Sequence, residues 1–381
     1  MKRCAYLLYG DHASGIINSQ AVDVVKYLDS IPKVSCKLIA FLPYPFALKT
    51  HVALEKFYGK SLAKTRALPQ RLWPLFLRWE SIRLAWKVRQ GKIETIICRG
   101  AFATLIALET RNKFCRTLRV CYDGRGAMAA EHEEYGVYPS YLENFMYMSE
   151  SRSVLESDIR IAVTSELVEY WKNRYGYQSS NNGYCVVIPT TLSNNQIKRA
   201  NQLEECRKEK REELALNQNE ILLVYSGSTA GWQSLELLSN HLNDWLKNND
   251  LVKVLILSKP HHLFKELQLK FPNRITEKFV EPTEVFCWLS AGDYGLLLRD
   301  KSVTNSCASP TKYAEYLLAG LRVISNETTG AGGEVGMIPA DELTSSTKSA
   351  RELCSGRAIK HFEKGNFHEE YEGITQNLRL L

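Results

Sequence analysis

The chain has 381 residues, 45% hydrophobic and 24% charged, an ordinary balance for a folded globular protein and enough length for two domains. No apolar run approaches the roughly 20 residues of a membrane span, and Met1-Lys2-Arg3 leads into a strand-like segment, so neither a spanning helix nor a secretory leader is expected. The ten cysteines include no Cys-x-x-Cys pair, and Cys4, Cys98, Cys121 and Cys185 sit in apolar runs, so they read as buried thiols of a cytoplasmic protein rather than disulfides or metal ligands.

In chain order, the first strand pattern is Cys4–Tyr9. It runs into Gly10-Asp11-His12-Ala13-Ser14-Gly15, whose glycines let backbone approach a phosphate or a sugar, with Gly15 the candidate contact. The third glycine of a dinucleotide fingerprint is absent. A helical pattern at Ser19–Asp29 and a strand at Cys36–Phe41 follow.

The formal net charge of +7 comes from one segment, because residues 49–92 hold eleven Lys or Arg against Glu55 and Glu80, a surplus of nine. Trp73, Phe76 and Trp79 recur there at three-residue steps that a helix aligns on one side, interleaved with Arg78 and Arg83 and followed by Trp86. Basic residues beside exposed aromatics suit an anionic membrane surface. The other reading is that the aromatics pack inward and the cations form a solvated face. No motif that reads RNA or DNA accompanies the charge, and nucleic acid is not expected as a partner.

Strand patterns continue at Thr95–Cys98, Leu118–Tyr122, Ile159–Thr164 and Cys185–Ile188, with a helix at Glu166–Arg174. The Thr-, Ser- and Asn-rich stretch from Pro189 to Asn201 divides the chain. Beyond it, Ile221–Ser226, Val252–Ser258, Arg274–Val280, Asp293–Leu298 and Leu321–Ser325 repeat the alternation of an α/β sheet protein. Two doubly wound domains follow, with ligands expected at the carboxyl ends of the strands. His261-His262 is the sole histidine doublet, and adjacent residues project apart, which does not suit a metal.

The segment Ser309-Pro310-Thr311-Lys312-Tyr313-Ala314-Glu315-Tyr316-Leu317-Leu318-Ala319-Gly320, before the strand ending at Ser325, reads as a helix opened by a capping serine and a first-turn proline. A helix start leaves N–H groups unpaired and carries partial positive charge, so it holds an anion. Ser309 and Thr311 add donors, Lys312 adds a charge, and Glu315, about one turn on, accepts from a ribose diol. The same signal also opens ordinary surface helices.

This stretch resembles the donor-site helix of retaining GT-B glycosyltransferases, bacterial family-four-like (glycosyl transferases group 1), in which a Ser-Pro-x-Lys-aromatic-x-Glu pattern recurs. Arg322 stands where the pattern usually has proline. The helix and strand of residues 207–228 resemble the opening of that family's nucleotide-binding domain, Val280 and Glu281 its nucleobase loop, and Val120-Cys121-Tyr122-Asp123-Gly124-Arg125-Gly126 with Glu131 a strand-end motif of its N-terminal domain. Cys307 replaces the first of the family's two glutamates, and Ser228 and Trp232-Gln233 stand where it places an arginine and a lysine. Arg299, Lys301 and Lys312 are then the cations at hand.

The resemblance implies two facing Rossmann-like domains. Residues 1–190 would bind the acceptor and carry the arm 49–92, residues 200–360 would bind the nucleotide-sugar, and residues 361–381 would form a terminal helix crossing back to the first domain. It implies sugar transfer from a nucleotide-sugar, with retention, no cofactor and no metal, to a lipid-linked or polysaccharide acceptor in bacterial surface-glycan assembly of the O-antigen or capsule type. Asp123 and Arg125 are the candidate catalytic contacts, Trp73, Arg78, Trp79 and Arg83 the arm that meets an anionic inner-membrane surface from the cytoplasmic side. A nucleotide-sugar epimerase of the same fold and an inactive partner subunit are the competing implications.

Overall fold

The computed structural model describes residues 1–11, 17–42, 63–326 and 337–376. It divides into two compact units, Met1–Pro189 with Phe367–Leu381, and Thr190–Asn366.

The first unit is built on seven parallel strands: β1 (Lys2–Tyr9), β2 (Val34–Leu42), β3 (Ala63–Arg66), β4 (Thr95–Arg99), β5 (Arg119–Gly124), β6 (Ile159–Ala162) and β7 (Tyr184–Val187). Their order is β3-β2-β1-β4-β5-β6-β7, so the winding reverses between β1 and β4. Helices α1 (Asp23–Ser30), α2 (Trp73–Gly91), α3 (Gly100–Lys113), α4 (Met128–Tyr135), α5 (Ser140–Glu156) and α6 (Ser165–Tyr175) connect them. A sheet covered on both faces needs strands that are apolar throughout, and in β1 Tyr6 and Leu8 enter one core while Leu7 and Tyr9 enter the other. The strand β3 has no sequence signal, because Ala63-Lys64-Thr65-Arg66 carries cations as edge strands do.

The second unit has five parallel strands, β8 (Ile221–Ser226), β9 (Val252–Leu257), β10 (Ile275–Lys278), β11 (Tyr294–Leu297) and β12 (Arg322–Ser325), in the order β10-β9-β8-β11-β12. Its helices are α7 (Leu203–Glu213), α8 (Leu235–Asn248), α9 (His262–Lys270), α10 (Val285–Ser290), α11 (Thr311–Leu318) and α12 (Lys348–Phe362). The last helix, α13 (His368–Gln376), packs in the first unit, where Tyr371 and Ile374 join the core around Tyr6 and Leu28. Tyr184 adds a hydrogen bond to the Gly373 carbonyl at 3.2 Å.

One expectation is corrected here. Cys206 of α7 and Cys287 of α10 form a disulfide, with Cα atoms 4.8 Å apart across 81 residues of sequence, while the other eight cysteines form no disulfide. No spacing motif marks such a pair, since two packed helices bring it together.

The start of β11 is pinned by a buried ion pair. Asp293, wholly enclosed, accepts from the Arg207 guanidinium at 2.7 Å, from the Leu222 N–H at 2.8 Å and from the Ser346 N–H at 2.8 Å. Arg207 also donates to the carbonyls of Ala291 at 2.9 Å and Gly292 at 2.6 Å. Removing the carboxylate strands a buried cation and two amides. Asp293→Ala should therefore lower stability by roughly 3–5 kcal/mol, seen as an earlier urea transition, whereas Leu269→Ala, at a side chain 85% exposed, should change it by less than about 0.5 kcal/mol.

Candidate functional site

At the carboxyl ends of β8 and β11, helix α11 is locked in place by Tyr316. Its ring lies so close over Gly295 that a Cβ there would sit 2.4 Å from it, and its hydroxyl accepts from the Ser226 N–H at 2.8 Å. The helix starts one residue later than its sequence implies. Pro310 takes the N-cap place in extended conformation (ψ 120°), and no side chain caps the first turn. Ser309, the expected cap, is instead bonded to Thr190: its hydroxyl accepts from the Thr190 N–H at 3.0 Å and its carbonyl from the Thr190 hydroxyl at 2.7 Å. Thr311 opens the helix, half-buried.

Lys312 points from this turn toward the end of β8. Its ammonium donates to Gln233 Oε1 at 3.0 Å and lies 4.9 Å over the Tyr225 ring. A Cβ on Gly227 would stand 1.7 Å from the Lys312 Nζ, so this position must be glycine for the lysine to lie there. Burial, reinforced by the neighbouring Arg299 and opposed by Glu315, pushes Lys312 down to about 7. Burial likewise raises Glu315 to about 7, with Lys312 acting against it. The Glu315 carboxylate meets Gln196 Nε2 at 3.5 Å.

Arg299 is 6% exposed, with a guanidinium nitrogen 3.4 Å from Asn305 Oδ1. Its backbone is gripped by Asn326, which accepts from the Arg299 N–H at 3.0 Å and donates to its carbonyl. Lys301 and Ser228 are exposed on the rim, and the Ser228 carbonyl accepts from the Tyr225 hydroxyl at 2.8 Å. A small recess beside Glu315 is lined by Gln196, Arg199, Pro282, Val285 and Phe286. Its apolar wall comes from Pro282, Val285, Phe286, Leu289 and Leu318. Val280 is half-buried against the core, and Glu281 is exposed.

Sequence reasoning therefore located the helix and its charges but missed Tyr225, Gly227, Asn305 and Asn326. A glycine directly after an apolar strand was the available signal for Gly227. Nothing local marks Asn326.

The strand ends of the first unit are arranged differently. Asp123 is wholly buried, and one carboxylate oxygen accepts from the Tyr6 hydroxyl and from Arg125 at 2.8 Å. Asp123 thus has no solvent access, and its carboxylate holds the Arg125 guanidinium in place. Arg99 is paired with Asp11 at 2.8 Å and bonded to Gln20 at 3.1 Å. The N-terminus of α4 is filled from within, because the Glu150 carboxylate accepts from the N–H groups of Met128 at 2.8 Å and Ala129 at 2.7 Å. Glu131, one turn into α4, is pushed up to about 7 by burial and by Glu150, with Arg99 opposing. Gly10 adopts φ +75° with the Trp73 ring where a Cβ would be. Gly15 lies outside the described residues.

The arm is also redrawn. Trp73 is buried, donating to the Leu68 carbonyl at 2.8 Å and packed on Tyr9 and Phe102. Arg83 turns inward to Glu80 at 2.6 Å and to the Arg66 carbonyl at 2.6 Å. Both leave the expected surface because a buried carboxylate and an aromatic pocket hold them. Arg78 and Trp79 do face solvent.

These two parallel-sheet units have the GT-B fold of glycosyltransferases. A glycosyltransferase from Rickettsia africae superposes with a TM-score of 0.71 at 14% identity, over 99% of this chain and 100% of that one. The lipopolysaccharide outer core galactosyltransferase WaaB matches at 0.64 and 12%, over 98% and 99%. A UDP-GlcNAc 2-epimerase from Neisseria meningitidis, solved with UDP-GlcNAc, matches at 0.56 and 12%, over 98% and 94%. No protein-family model matches the sequence, and neither does any curated protein.

The shifts of Lys312 and Glu315 set a pH profile. Glu315, raised, favours the fold below its unfolded value and loses that contribution as pH rises to about 7. Lys312, lowered, favours the fold at alkaline pH and loses that contribution as pH falls to about 7. The pair thus contributes least near neutrality. Thermal melts should show Glu315→Gln gaining roughly 2–4 °C over wild type at pH 8 and nothing at pH 4, and Lys312→Met gaining at pH 6 but not at pH 11.

Proposed function

We propose that this chain is a glycosyltransferase whose second unit binds a nucleotide-sugar and whose first unit takes a saccharide acceptor, lipid-linked or polysaccharide, in bacterial surface-glycan assembly. The observation that carries the reading is the gathering of Lys312, Arg299 and Glu315 at the uncapped start of α11, beside the ends of β8 and β11. Uncapped N–H groups, a helix dipole and two cations match a diphosphate. A carboxylate one turn on matches a ribose diol, and the recess walled by Pro282 and Val285 suits the base. The likeness to WaaB, a lipopolysaccharide enzyme by its own description, supports the biological setting.

In the reaction, the bond from the anomeric carbon to the diphosphate oxygen breaks, and the departing charge is stabilised by the helix start with Lys312 and Arg299. The acceptor oxygen bonds to the same carbon from the same face, giving retention, and its proton passes to the leaving phosphate. No protein nucleophile and no metal is required by this scheme, and Arg125 is the candidate contact of the first unit. An apo lysine held near its neutral form should charge as the diphosphate arrives, so binding would return some of the stability lost near neutral pH.

Two predictions test the assignment. Lys312→Ala and Arg299→Ala should each weaken binding of a nucleoside diphosphate by roughly tenfold or more in calorimetry, as loss of a charge-assisted contact does. Unchanged affinity in both would sink the donor site. Gly227→Ala should weaken the same binding, since the added methyl takes the place of the Lys312 ammonium and also presses on the Tyr225 hydroxyl, 2.9 Å away.

Glu131 favours a second reading. A carboxyl titrating near neutrality at the strand ends of the first unit is what an epimerase uses as acid or base on a sugar. Incubation with a panel of nucleotide-sugars and a bacterial lipid extract separates the cases. Transferred sugar supports the main reading, free epimerised sugar the second, and binding without turnover an inactive partner subunit.

A further inference from the structure

Helix α2 is apolar on two opposite sides. Trp73, Leu84, Ala85 and Val88 face the core of the first unit. On the far side stand Leu75 (77% exposed), Trp79 (54%), Ile82 (43%) and Trp86 (60%), spaced four, three and four residues apart. At about 100° per residue the spacing of Trp79, Ile82 and Trp86 confines them to an arc of roughly 60°, a single stripe, while Leu75 stands just before the kink at Phe76. Phe76, 44% exposed, flanks it at the kink of the helix. Five of the sixteen large hydrophobic side chains exposed among the described residues therefore sit on this one helix.

Such an outward face conflicts with solubility unless something covers it. The charges around it indicate what. Residues 63–92 carry eight Lys or Arg and a single acid, Glu80. Glu80 is buried and neutralised by Arg83, so it contributes no negative surface. Arg78 and Arg89 are exposed on the helix and Arg71 and Lys92 just beyond its ends, with Arg89 also donating to the Phe114 carbonyl at 2.8 Å and Arg71 5.7 Å from the ring of the half-exposed Tyr141. Tryptophans among leucine and isoleucine, with arginines beside them, match the boundary between headgroups and acyl chains of an anionic bilayer.

We infer that the outer face of α2 seats this protein on an anionic phospholipid surface, with Trp79, Ile82 and Trp86 entering the interface and Arg78 and Arg89 meeting headgroup phosphates. The helix lies on the membrane plane. It does not span it, and no helix among the described residues is long and apolar enough to cross one. The inference uses side chains of the first unit alone, so it stands or falls separately from the reaction proposed above.

The test is co-sedimentation of the full chain with phosphatidylcholine vesicles, with and without about 30% phosphatidylglycerol, at low and high salt. Wild type should pellet with the anionic vesicles, weakly with neutral ones, and less as salt rises. Trp79→Ser with Trp86→Ser should cut partitioning by roughly tenfold or more, and Arg78→Gln by roughly fivefold, with melting temperatures unchanged because these side chains are exposed. Equal binding to neutral vesicles, no binding at all, or full binding by the double tryptophan variant would each overturn it. A wild-type dimer that the tryptophan substitutions split, without vesicle binding, would assign the face to a second copy of the chain.

Discussion

The arrangement of the second unit turns on keeping a lysine ammonium in an enclosed place. Burial disfavours the charge, and the neighbouring Arg299 disfavours it further, so Lys312 is held there by geometry and not by its own preference. Several choices elsewhere exist to allow it. Gly227 lacks the side chain that would fill the space, Tyr225 offers a ring face, and Gln233 offers a neutral acceptor. The latch of Tyr316 over Gly295 sets the helix at the height from which Lys312 reaches that space. A site that is electrostatically uncomfortable when empty is one that an incoming anion relieves.

The two units share a layout of parallel strands and covering helices, yet their strand ends are finished in opposite ways. In the first, Arg99 is matched by Asp11, Arg125 by Asp123, and the start of α4 by Glu150. Each of these cations is matched by an acid within the protein, and among the described residues Arg99, Arg125 and the carboxyl of Glu131 are partly exposed. In the second, the helix start has no side-chain cap and two cations lie near each other.

Much of this was legible beforehand. Strands of a parallel sheet covered on both faces must be apolar at nearly every position, so ten of the twelve stand out as apolar runs rich in Val, Ile, Leu and Cys. The exceptions, Ala63–Arg66 and Ile275–Lys278, are edge strands that carry charges and show no such run. The helix at Thr311 was visible because proline, lysine and glutamate stand at fixed offsets along a single segment. Ser309 was misread because the proline beside it assumed the cap position and left the serine to bond Thr190.

What the sequence by itself determined were the quantities local to the chain: period, charge density, helix starts, and the concentration of cations and tryptophans between residues 49 and 92. Which acid neutralises which cation was decided only by tertiary structure, as in Asp123 with Arg125, Glu80 with Arg83 and Asp293 with Arg207. So was the side of α2 that meets water, which places Trp73 in the core and Trp79 and Trp86 outside it. The reason is geometric. Periodicity says which residues share a face of a helix, but the neighbour that covers that face comes from another part of the chain.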